Sequence, residues 1–128
     1  MLILFDSWAW LEFLLDAEHK EKVRIIYQQA NSKIITSKIS IYEVYAKIGS
    51  FKGWQIANNA IEKIIQNSFL IELELDVIKE AAHLKNEKGM STADSIIAAT
   101  AIKYHALLLT GDNDFDILKD RIKIKQIY

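Results

Sequence analysis

The chain has 128 residues, 51% of them hydrophobic and 26% charged, with a formal net charge of −1. That length suits one domain with a real core, and the near-neutral balance confines any polyanion site to a local patch. There is no cysteine, which excludes disulfides, thiolate catalysis and Cys-ligated zinc or iron–sulfur centres.

In chain order, LILF (2–5) reads as a short buried strand, and residues 8–16 follow as a helix with Trp8, Leu11 and Leu15 at helical spacing. A second helix is expected over 18–30, then a strand at KIITS (33–37). Residues 40–48 are helical, and Gly49, Ser50 and Gly53 mark a break before a helix over 54–66. FLIELEL (69–75) alternates at the strand period. Asp76 is placed to cap the next helix and Gly89 to end it. Ser91 opens another helix, ALLLT (106–110) is an apolar strand, and a short helix is expected over 113–119. The last strand, IKIKQI (122–127), suits a sheet edge.

Strands alternating with helices predict an α/β fold with a parallel sheet, whose ligands gather outside the carboxyl ends of the strands. The four glycines form no G-x-G-x-x-G or P-loop, and the three histidines form no H-E-x-x-H. The N-terminal apolar run is cut by Asp6 and lacks a basic leader, and the run 95–102 is far shorter than the ~20 residues of a membrane span. A single soluble, cytoplasmic domain with no membrane partner is the expectation.

Four acids stand out, and each has a plain structural reading. Asp6 follows the first strand and can cap the next helix. Glu43 can pair with Lys47 at i, i+4, although Ile41, Tyr42, Val44 and Tyr45 bracket it. Asp94 can close a capping box with Ser91, yet it shares a face with Ile97, Ala98 and Ala101. Asp112 ends the apolar strand and can cap the short helix. In a parallel sheet all four fall on one edge. Independent caps would favour that edge too, so the placement is suggestive by itself. Four carboxylates converging there would repel without a cation, and oxygen-only ligands select Mg²⁺ or Mn²⁺ over zinc. Such a cation suits a phosphodiester substrate. The aspartates at 112, 114 and 116 do not make a calcium loop, because the sixth position is Ile117 and the twelfth is Lys123.

An Asp ending LILFDS, a Glu in SKISIYEVYAKI, an Asp in STADSIIAATA and the following LLLTGDNDF form an ordered set across nearly the whole chain. In these residues the chain resembles the PIN domain family, and within it the VapC-type toxins of VapBC toxin–antitoxin pairs. The resemblance implies a three-layer α/β/α sandwich around a parallel sheet of about five strands. It implies a catalytic, metal-holding cluster of Asp6, Glu43, Asp94 and Asp112, with Asp114 as a further acid and Ser7 and Thr110 as polar supports. It also implies a Mg²⁺- or Mn²⁺-dependent endoribonuclease acting on RNA, a homodimer, and a small cognate antitoxin. Gly111 departs from the family pattern, which usually has a basic or polar residue there. Two other readings stand beside the toxin: an RNA-processing nuclease outside a toxin pair, and a non-catalytic PIN-like binding module. A receiver-like phosphoacceptor fails because a lone Asp6 follows Phe5 and FLIELEL offers no acceptor.

Residues 20–52 are locally basic. Lys38, Lys47 and Lys52 are the candidate RNA contacts in this region, against the alternative of solvated helix faces. Trp54 is a candidate for base stacking or for packing, whereas Trp8, Trp10 and Phe13 read as core or dimer packing.

Overall fold

The computed structural model describes residues 1–15, 17–30 and 33–127. Five strands, β1 (Ile3–Phe5), β2 (Ile34–Ser37), β3 (Phe69–Ile71), β4 (Leu107–Thr110) and β5 (Lys123–Gln126), form one sheet. Their order is β3-β2-β1-β4-β5, and every neighbouring pair is parallel. The helices are α1 (Ser7–Leu14), α2 (Lys20–Gln29), α3 (Lys38–Lys52), α4 (Trp54–Asn67), α5 (Leu75–Lys88) and α6 (Thr92–Tyr104), with a 3₁₀ turn η1 at Asn113–Leu118.

The strand period divides the core into two layers. Leu4, Ile35 and Leu108 point to the side covered by α5, α6 and η1, among Val77, Leu84, Ile97, Phe115 and Leu118. Phe5, Ile34 and Leu109 point to the opposite side, among Trp10, Val23, Val44, Ala57 and Ile64 of α1 to α4. Successive side chains of a strand face opposite ways, so near-continuous apolar strands feed both layers. This is the expected three-layer sandwich. No helix among the described residues is long and apolar enough to cross a membrane.

The chain moves outward from β1 to β3 with α1 to α4 on one face. It then returns past β2 and β1 to β4 through α5 and α6 on the other face. The order therefore reverses between β1 and β4, and a crevice opens at the carboxyl ends of those two strands.

Three boundaries differ from the expectation. The alternating stretch after residue 68 is strand only over Phe69–Ile71, because α5 already begins at Leu75. Glu74 is the residue that precedes α5, and Asp76 sits within its first turn, where it pairs with Lys103. Helix α3 runs through Gly49 and Ser50 and stops only at Gly53, whose φ of 94° favours glycine. Gly49 is a packing glycine: a Cβ there would lie 1.9 Å from Cζ3 of Trp54. Gly89, at φ 68°, ends α5 as expected.

Candidate active site

Register sets the first acid of the site beside a threonine. Phe5 pairs with Leu109 across β1 and β4, so the next residues, Asp6 and Thr110, lie side by side. Asp6 is 5% exposed and Thr110 is fully buried. One carboxylate oxygen of Asp6 accepts the backbone N–H of Ala9 at 2.8 Å, which caps α1. The other accepts the hydroxyl of Thr110. The Thr110 Oγ1 in turn accepts the backbone N–H of Asp112 at 2.9 Å. Asp112 caps η1 by accepting the N–H of Asp114 at 2.8 Å. The capping reading of Asp6 and Asp112 is thus correct, and the same bonds string the acids into one chain of contacts.

Asp94 arrives from the other side of the crevice. Ser91 accepts the Asp94 N–H at 3.1 Å and starts α6 with the carboxylate in its first turn. Asp94, Asp112 and Asp114 each offer a carboxylate oxygen, and these oxygens lie within 4.8 Å of one another. The sequence-expected four are therefore split. Asp94 and Asp112 meet there together with Asp114, while Asp6 is buried nearby, close enough for the charges of Asp112 and Asp94 to raise its pKa. Glu43 faces the group from α3, near enough to Asp94 to raise its pKa. No ion pair joins Glu43 to Lys47 among the described residues.

Electrostatics follow from this crowding. Burial pushes the Asp6 carboxyl up to about 7; its bonds from Thr110 and Ala9 oppose the rise, and Asp112 and Asp94 add to it. Burial also pushes Asp94 up to about 6, with Asp112, Asp114 and Glu43 contributing and Ser91 opposing. Three carboxylates this close, with further acids nearby, are a hard, oxygen-only donor set. That set fits Mg²⁺ or Mn²⁺, which would offset the mutual repulsion.

The supporting residues divide. Ser7 is the first residue of α1 and lines a cleft of about 530 Å³ with Trp8, Glu43 and Lys47. Lys38 opens α3, with its ammonium 2.6 Å from Glu72. Lys52 is exposed at the end of α3. Trp10 is fully buried, touching Phe5 and Phe13 and donating to Thr36 at 3.0 Å. Trp54 is half-exposed against Tyr45. The feature hidden from the sequence is the seat of Trp8. A Cβ on Gly111 would lie 2.2 Å from Cε2 of Trp8. The glycine that departs from the family pattern is the one that lets this indole lie against the turn leading to Asp112.

The family model of the PIN domain matches residues 3–120. The chain belongs to the PIN domain family. Solved structures agree on the PIN fold. A chain of VapBC2 from Rickettsia felis, bound to a DNA fragment from its promoter, superposes with a TM-score of 0.83 at 15% identity, covering 100% of both chains. A chain of DNA-bound VapBC from Salmonella typhimurium gives 0.82 at 16% identity over 98% of each chain. VapC20 from Mycobacterium tuberculosis, a Sarcin-Ricin loop cleaving toxin, gives 0.80 at 14% identity, covering 90% of this chain and 93% of that one. No curated protein matches this PIN domain by sequence.

Proposed function

We propose that this PIN domain is a Mg²⁺- or Mn²⁺-dependent endoribonuclease, the toxin of a type II toxin–antitoxin pair. The observation that carries the reading is the group of Asp94, Asp112 and Asp114 carboxylate oxygens within 4.8 Å of one another. Its position at the reversal between β1 and β4 suits a bound substrate. Fold likeness to VapBC proteins and to an RNA-cleaving toxin supports the toxin assignment and a small antitoxin partner.

Asp94, Asp112 and Asp114 would hold the cation, with Asp6 buried close by. A divalent cation bound there acidifies a water and offsets charge on the leaving oxygen of a phosphodiester. The chain supplies the geometry. Asp6 fixes the Thr110 hydroxyl, and Thr110 fixes the backbone of Asp112. Glu43, on the flank of Asp94, orients the attacking water. Ser7 supports the same edge from the start of α1.

The test is RNA cleavage by nuclease-free protein. EDTA should abolish it, Mn²⁺ or Mg²⁺ should restore it, and Asp94→Asn should lower it by about a hundredfold or more. Equal cleavage by wild type and Asp94→Asn would refute the reading. Expression should arrest growth, with rescue by a small adjacent gene. A chain that cleaves RNA but has no such neighbour would be an RNA-processing nuclease instead.

A further inference from the structure

We propose that the apolar cleft beside the acidic group is a base-stacking subsite for single-stranded RNA, walled by Trp8 and Phe51 and fronted by Lys47. The proposal rests on the nuclease reading above and names how the strand next to the scissile phosphate is held.

The cleft has a volume of about 530 Å³ and is mostly apolar, with Leu11 in its lining. It shares a wall with the acidic group. Glu43 lines it, Ser7 follows Asp6 in the chain, and Trp8 rests against Gly111, one residue before Asp112. A phosphate held at the acids therefore places a flanking base within reach of the cleft. Sites of roughly 300–1,000 Å³ take one compact ligand, whereas a stable protein interface covers about 800 Å² on each partner. The size suits one or two bases.

The walls suit a base. Trp8 lies against Gly111 and near His19, with ring centroids 5.9 Å apart in the latter pair, so little ordering is left for binding. Phe51 is 80% exposed, so folding does not explain its position. Lys47 has no ion pair among the described residues and is free to meet a phosphate. Every base has a π face, so such a subsite tolerates any sequence.

The test uses the wild-type chain with Ca²⁺ in place of Mg²⁺, an oxygen-seeking cation that keeps the site filled, read by anisotropy of a labelled single-stranded oligoribonucleotide. A matched oligomer of abasic ribose phosphates is the comparison. The base-bearing strand should bind on the order of tenfold tighter. Adding Phe51→Ala or Trp8→Ala should shrink the difference to about twofold or less, and Trp8→Phe should keep it. Phe51 is exposed, so its variant stays informative even where Trp8→Ala unfolds. Equal binding of the two strands, or an undiminished difference in Phe51→Ala, overturns the proposal. An apolar peptide that occupies the cleft where RNA does not would assign the cleft to a protein and also overturn it. Failure of the nuclease reading shows separately, as RNA left intact by wild type with Mn²⁺.

Discussion

Asp6 and Asp94 make stability depend on pH in a direction opposite to most carboxylates. Their pKa values rise from 3.8 to about 7 and about 6, so the folded state prefers them protonated. Their contribution is fully present below the unfolded value and is lost as pH climbs through the folded values. For Asp6 the span is on the order of 4 kcal/mol. In EDTA, urea unfolding from pH 4 to 8 should show this loss in wild type and a flatter profile in Asp6→Asn. Identical slopes would contradict the buried carboxyl. A second residue-scale outcome concerns Gly111. Its Cβ would strike Trp8, and overpacking costs about 1–3 kcal/mol. Gly111→Ala should therefore lower the thermal midpoint and also weaken cleavage, because the turn leads into Asp112. None of this was visible in the string LLLTGDNDF, where Gly111 stands 103 positions from Trp8.

At the scale of elements, the caps explain why the acids sit where they do. Asp6, Ser37, Ser91 and Asp112 each begin a helix or 3₁₀ turn just past a strand end or at the same sheet edge. The residue type demanded by a cap is the type demanded by a metal site, so local patterning could not choose between the two. At Asp112 the structure leaves room for both roles, since capping uses one of its oxygens, whereas the second oxygen of Asp6 already accepts the Thr110 hydroxyl. Boundaries were less legible. Gly49 and Ser50 read as a break, yet α3 continues because the missing Cβ admits the Trp54 indole. Trp54 is 54% exposed and can swing outward. Alanine also gains about 1 kcal/mol of helix propensity over glycine. Gly49→Ala should accordingly change urea stability by less than about 1 kcal/mol, in contrast to Gly111→Ala. A large loss would mean that Tyr45 and Trp54 are locked together.

For the whole molecule, the reversal of strand order is the organising fact. It opens one crevice between β1 and β4, and α3 and α6 bring Glu43 and Asp94 to its sides. Ligands that bind only the folded state stabilise it by mass action. Mn²⁺ at a hundred times its dissociation constant should add about 2.7 kcal/mol to wild type. In Asp94→Asn the gain should fall sharply, read as the shift in thermal midpoint on adding Mn²⁺ after EDTA. An equal shift in both proteins would place the cation elsewhere.

By itself the sequence determined the alternation of strands and helices, the two-sided core and the four acids at one edge. These follow from periodicity and from caps, which act over a few residues. Which carboxylates come within reach of one cation was decided only by tertiary structure. Asp94 meets Asp112 and Asp114 across a crevice set by strand order, while register buries Asp6 beside Thr110. The seat of Trp8 on Gly111 belongs to the same class. Contacts between distant residues depend on how the layers close, and no local pattern encodes that distance.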